Sequence, residues 1–287
     1  MRSSRSNPVW YLPVSIGALL MLFPIWWMLV VSLKTEADAK QSMSSGEMLQ
    51  VLPGNPQWGN YAQAVSEVGT EPVTGFLDAL ANSIVVTVLV VAATILSSSL
   101  VATAFARIRF RGRNGFFILM LATMMLPAQV TMIPLFLFFR SLGWVDTLLP
   151  LVVPAFFGSA FFIFMYRQFI AQIPESLFEA ARIDRCGWFE IWWRIVLPLS
   201  RPVTAITAVF TFIFVWNDFM TPLIYLHSEE QATIAVALNS FRTQFSGIED
   251  VHLLMALSVV TMVPCIVLFF AAQRHFIEGL GSGAVKG

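Results

Sequence analysis

Charge is scarce in this chain. Only 12% of its 287 residues are Asp, Glu, Lys or Arg, against 57% hydrophobic. That leaves too little polar surface to cover a soluble globule of this length, and the mean hydropathy of +0.75 agrees. Cysteine is scarcer still. Cys186 lies between apolar runs and Cys265 inside the last of them, so a disulfide framework is excluded. His227, His252 and His275 stand apart, with no Cys or His at metal-ligand spacing. No G-x-x-x-x-G-K-[ST] loop, H-E-x-x-H or nucleophile elbow occurs, and the cluster Gly279, Gly281, Gly283, Gly287 has the wrong spacing for a phosphate loop. The expectation is a chain with no catalytic residue, no metal and no nucleotide or other cofactor of its own.

What the chain has is long apolar runs. A helix needs roughly 20 mostly apolar residues to cross the hydrocarbon of a bilayer. Six runs qualify: Trp10 to Ser32, Phe76 to Ala106, Gly115 to Phe139, Leu148 to Ile170, Pro202 to Leu226 and His252 to Ala272. The second is diluted by Asp78, Asn82 and the cluster Ser97, Ser98, Ser99, although small and hydroxyl residues also suit close helix packing in lipid. The first is too long for the apolar region of a signal peptide, so it reads as an uncleaved span. The predicted fold class is an all-α membrane protein of six transmembrane helices.

Placing the N-terminus in the cytoplasm puts thirteen of the seventeen basic residues on the inner side, with the densest group at Arg107, Arg109, Arg111 and Arg113. That asymmetry follows the positive-inside rule. Residues 1–9 and 275–287 are then cytoplasmic ends, 10–32 the first span, 33–75 an extracytoplasmic loop, and 76–274 a five-helix core containing an inner loop at 171–201. Nothing in the charge pattern suggests a nucleic acid as partner.

That inner loop breaks the apolar pattern. Glu175, Glu179, Arg182, Asp184, Arg185, Glu190, Arg194 and Arg201 crowd into it. Pro174 suits a first helical turn, and Glu175, Glu179 and Arg182 fall at spacings where side chains one turn apart can pair. Gly187 is the position best able to turn left-handed. A second helix follows, with Trp188, Ile191, Trp192 and Ile195 on one face and Glu190 and Arg194 paired on another. Two short helices meeting at an angle can rest one face on the bundle and offer the other to a partner, and the small side chains of Ala180 and Ala181 would permit close approach. By itself such a segment also fits an interfacial amphipathic loop.

The residues Glu179, Ala180, Ala181 followed by Ile195, Val196, Leu197, Pro198 resemble the EAA loop of inner-membrane permeases in binding-protein-dependent ABC importers. Met125 to Pro134, Trp216 to Phe219, and Gln273 to Phe276 with Gly283 to Gly287 are similar to the smaller permease subunit of the carbohydrate, maltose-type branch. The family's loop glycine falls at Arg185, with Gly187 two residues later.

The resemblance implies that the loop is a two-helix coupling element inserted into a separate ATPase subunit, with contacts at Glu179, Ala180, Ala181, Asp184, Arg185, Gly187, Leu197 and Pro198. ATP and Mg would be held by that partner. It implies a heterodimer with a second permease, two ATPase subunits, membrane lipid around the spans, and an extracytoplasmic sugar-binding protein docked at Lys34 to Val73 and His227 to Asp250. It also implies that the glycine-rich tail, with Gly283 and Lys286, reaches the ATPase, where composition alone suggests a flexible end. Polar residues inside spans usually face a bundle interior or cavity. Gln129, Thr131, Trp216, Asn217 and Asp218 are therefore candidates for a translocation path, or for pins that lock spans together. The rival from another class is an ion-gradient-driven carrier; such carriers commonly show internal repeats and charged ion sites at mid-membrane, and here Asp218 is alone.

Overall fold

In a computed structural model the described residues, 11–44, 53–67, 75–244 and 250–284, are helices and connecting turns, with no strand among them. They fall into two units, Met1–Leu77 with Ala237–Val263, and Asp78–Val236 with Pro264–Gly287.

In the first unit α1 (Tyr11–Ser32) is apolar on every side, and almost all its residues from Tyr11 to Leu29 are exposed, as a lipid-facing helix should be. Its end is closed by side chains from further along. Asn60 donates to the carbonyls of Ser32 and Lys34, both at 2.9 Å, and Tyr61 meets the Ser32 hydroxyl at 2.7 Å. Composition suggests a solvated connection over the next forty or so residues; instead α2 (Glu36–Ser44) and α3 (Gly59–Glu67) form there. Lys34 is buried by them, donating to Ser42 at 2.6 Å and lying 5.6 Å from the centre of the Trp27 ring.

The second unit is organised around α4 (Phe76–Arg107), 32 residues long. Asn82, Ser83 and the three serines that dilute this run each have a partner. Asn82 donates to the carbonyls of Glu230 and Ala232 at 2.9 and 3.1 Å, and Ser83 accepts from the Ile234 amide at 2.8 Å. Ser97 donates to Ala155 O at 2.9 Å, Ser98 accepts from the Ser159 amide at 3.2 Å, and Ser99 accepts from Trp192 Nε1 at 3.0 Å.

Three expected spans are not single straight helices. The third is split into α5 (Arg113–Thr123) and α6 (Ala128–Ser141), bent by 98°. The break is at Pro127, whose ring disfavours helical geometry in the residue before it, whereas Pro134 is accommodated inside α6. The fourth begins as α7 (Leu149–Val152), tightens into a 3-10 turn, and restarts after Gly158 as α8 (Ala160–Ile170). Gly158 has φ 83°, and a β-carbon there would approach the Ile163 side chain to 3.0 Å, so glycine serves both the turn and the packing.

The loop helices are α9 (Glu175–Ile183) and α10 (Trp188–Ile191), continued by a π-helical turn Trp192–Val196 and the single turn α11 (Leu197–Leu199). The fifth expected span is α12 (Arg201–Trp216), interrupted before α13 (Met220–Tyr225). It meets the α10–α11 run at 81°. α14 (Ile234–Gln244) and α15 (Val251–Ala284) complete the chain. By length and composition there are four candidate spans among the described residues, or up to six when each bent pair counts as one.

Candidate functional site

The α9–α10 elbow is held on a core of Ala102, Ile163, Tyr166, Ile170, Phe178, Ala181, Ile191, Trp192 and Val196. A helix turns about 100° per residue, so neighbours face different ways. Ala181 therefore faces this core while Ala180 is exposed, and of the two expected small contact residues only Ala180 can receive a partner closely. Glu179, Asp184, Arg185, Gly187 and Pro198 are exposed and Leu197 is half-buried against the core.

The expected pairing within α9 does not form. Glu175 pairs instead with Arg107 at 2.6 Å, and Arg182 lies over the Trp188 ring at 4.7 Å. The expected Glu190–Arg194 pair does form, at 3.0 Å. Glu179 has neither a hydrogen bond nor an ion pair through its carboxylate among the described residues. One turn on, Ile183 is 81% exposed, and Phe189 across the corner is 66% exposed. Sequence reasoning missed these two; their signal was apolar residues placed out of phase with the buried stripe of each helix. Exposed large apolar side chains around an unpaired carboxylate form a surface suited to a protein partner.

The corner overturns the expectation for Gly187. That residue is extended, at φ −72° and ψ 161°, while Arg185 takes the left-handed conformation at φ 60°. The Cys186 amide bonds to Ala181 O at 2.9 Å and the Arg185 amide to Arg182 O at 3.0 Å, which is the Schellman closure of a helix. Left-handed geometry is required at the position following the cap, two residues earlier than the only nearby glycine. An L side chain there costs about 1 kcal/mol. Replacing Arg185 with Gly should raise stability by about 0.5–1 kcal/mol, a rise of roughly 1–4 °C in the thermal midpoint of the purified complex. Arg185→Val should lower it; a fall for both would show that the Arg185 side chain makes a stabilising contact.

The polar residues of the α6 and α12 segments converge. Gln129, Thr131, Asn217 and Asp218 line one cavity of about 880 Å³, together with Met132, Phe214, Phe219 and Tyr225. Among the described residues its lining contains no Lys, Arg or His. Asp218 also lines a neighbouring cavity of about 310 Å³ with Ser83, Thr87 and Thr233. Asp218 Oδ1 accepts from the Thr221 amide at 3.1 Å and so caps the start of α13, while Asn217 donates back to Ile213 O at 2.8 Å. The same carboxylate is thus both bonded to the backbone and part of the cavity wall. Trp216 differs: it is buried, stacked on Phe212 with ring centres 5.3 Å apart, and outside the cavity lining. The gap between α12 and α13 rotates Asn217 and Asp218 toward the cavity and leaves Trp216 in the packing behind it.

On the Asp146 loop, the side chain accepts from the amides of Ser228 and His227 at 2.7 and 2.9 Å. These bonds hold its carboxyl below the ordinary carboxylate range. They fix the segment entering the expected docking stretch after His227. Gly283 lies in α15, which continues helical where composition suggests a flexible end; Lys286 lies outside the described residues.

Comparison with known proteins places these features. Residues 95–281 match the family described as binding-protein-dependent transport system inner membrane component. The chain is 32% identical over 287 residues to the arabinooligosaccharides transport system permease protein AraQ of Halalkalibacterium halodurans, covering 99% of each. It is 32% identical over 281 residues to the sn-glycerol-3-phosphate transport system permease protein UgpE of Rhizobium meliloti, covering 96% of each. Its fold matches a chain in the crystal structure of a bacterial ABC transporter involved in the import of the acidic polysaccharide alginate, with TM-score 0.79 and 25% identity, covering 96% of this chain and 99% of that one.

Proposed function

The chain belongs to the family of binding-protein-dependent transport system inner membrane components, and from that premise we propose that it forms half of a heterodimeric pore importing a neutral sugar. It is a permease subunit of an importer of this class rather than an ion-gradient-driven carrier. Two separate ATPase subunits, carrying ATP and Mg, engage the α9–α10 elbow. A second permease subunit completes the pore, and a sugar-binding protein docks on the extracytoplasmic side, at Lys34 to Val73 and His227 to Asp250.

The observation that carries the docking role is Glu179, exposed and unpaired among the described residues, beside exposed Ile183 and Phe189 on helices otherwise fixed to the core. Glu179, Ala180 and Asp184 form the contact, with Arg185 and Gly187 shaping the corner and Ala181, Leu197 and Pro198 seating it. Gly283 and Lys286 at the chain's end add a second contact with the ATPase. Residues 1–9, 171–201 and 275–287 face the cytoplasm, 10–32 and the helices of 76–274 make six spans, and 33–75 lies outside.

Gln129, Thr131, Asn217 and Asp218 line the path, and Trp216 supports it from behind. The relatives include transporters named for both neutral and anionic solutes. A lining with a carboxylate, two amides, hydroxyls and aromatic faces, and no cation among the described residues, suits hydroxyl groups better than phosphate or uronate. Reconstitution tests the whole reading. The chain alone in vesicles should move no sugar under any ion gradient, and uptake should appear when the partner permease, ATPases and loaded binding protein are supplied. Solute movement by the chain alone would overturn it.

A further inference from the structure

Arg107 reads from the sequence as one of four arginines marking the inner side of the membrane. Its surroundings set it apart from Arg109 and Arg111, which are exposed. The Arg107 side chain, 10% exposed, ends α4 and points into the junction of two other helices. One terminal nitrogen donates to Glu175 Oε2, on the first residue of α9, at 2.6 Å. The other donates to the carbonyl of Ile170, the last residue of α8, at 2.6 Å, and to that of Ile173. The guanidinium carbon lies 4.2 Å from the centre of the Phe178 ring, inside α9.

Each of these contacts answers a local electrostatic need. The last carbonyls of a helix have no partner within it and carry the negative end of its dipole, and a carboxylate at a helix start meets the positive end. A cation between the end of α8 and the Glu175 carboxylate satisfies both, and the Phe178 face adds a cation–π contact. One forked, planar group therefore joins α4, α8 and α9. Two further ties fix the rest of the elbow: Trp192 Nε1 donates to Ser99 Oγ on α4 at 3.0 Å, and Arg182 lies over Trp188 across the corner at 4.7 Å.

We propose that Arg107 is the positioning residue that makes the docking elbow move as one body with α4 and α8. This rests on the docking role given to the elbow above. A partner pulling on Glu179 does mechanical work on the spans only where the elbow cannot swing on its own. Arg107 removes that freedom at the α9 end, as the Ser99–Trp192 bond does at the other.

The test compares Arg107→Lys with Arg109→Lys in the assembled transporter, measuring sugar uptake, ATP hydrolysed per sugar moved, and thermal midpoint. Both variants keep the positive charge that topology requires. A lysine is a point charge and cannot bridge three acceptors in a fixed plane. Loss of even one charge-assisted bond corresponds to roughly tenfold, so Arg107→Lys should cut uptake about tenfold or more and raise ATP consumed per sugar, while Arg109→Lys behaves as wild type. Equal behaviour of the two variants overturns the proposal. If Arg107→Lys fails to assemble, Glu175→Gln decides: it leaves the carbonyl bonds in place and should still raise ATP consumed per sugar at an unchanged midpoint, and a wild-type ratio there overturns the proposal. Glu179→Lys separates the two levels. Uncoupling by that variant with an unaffected Arg107→Lys ends the clamp and leaves the docking role, whereas no effect of either ends the docking role first.

Discussion

Glu179→Lys should reduce sugar uptake by about two orders of magnitude while the chain inserts and assembles with its partner permease normally. The Glu179 carboxylate makes no ion pair among the described residues and is exposed on α9, so reversing its charge removes nothing from the fold, and a change of stability within about 0.5 kcal/mol is the expectation for such a surface site. If the elbow docks on a basic ATPase surface, the same substitution loses a charge-assisted bond, worth roughly 1.5–3 kcal/mol, and adds a like-charge contact of comparable cost. Glu179→Gln, which keeps the shape, should fall between. Uptake, ATPase activity and thermal midpoint measured together check this. Normal uptake by Glu179→Lys at normal expression would falsify the docking role.

The second large effect concerns Asp218, where charge and cap can be separated. Asn retains an Oδ1 acceptor for the Thr221 amide and is itself a good helix cap, so Asp218→Asn should leave the thermal midpoint in place. Asp218→Ala removes the cap of α13 and should cost about 1 kcal/mol. Uptake discriminates the roles. If the carboxylate accepts a sugar hydroxyl in the 880 Å³ cavity, Asp218→Asn should raise the sugar concentration for half-maximal uptake about tenfold, as loss of a bond to a charged acceptor predicts. Wild-type uptake by Asp218→Asn, with a destabilised Asp218→Ala, would leave Asp218 a cap and nothing more.

Some of the site was legible before any coordinates. The Glu190–Arg194 pair lies four residues apart on one helix and forms as spacing predicts, because helical neighbours are fixed by the backbone alone. The elbow was visible as charge between apolar runs. Arg185 was marked only by the resemblance, whose loop glycine falls there, and not by local pattern: left-handed geometry belongs to the place where α9 stops, and a one-residue shift in a helix end moves it from one side chain to the next. Trp216 was misplaced for a related reason, since the break between α12 and α13 decides which of three successive residues meets the cavity. Ile183 and Phe189 show their exposure only once the buried stripe is known.

Amino-acid order by itself established a bilayer protein, its long apolar segments, a charged two-helix insert among them, and the resemblance that names the family. Hydropathy and helical spacing are local sums, so a window of about 20 residues contains them. The fold decided which polar groups hold what: Ser97, Ser98 and Ser99 serve different partners, and Arg107 reaches acceptors 63 and 68 positions away. Such bonds are chosen by how helices pack, because a buried donor must find whichever acceptor the packing brings near it, and no local pattern encodes that choice.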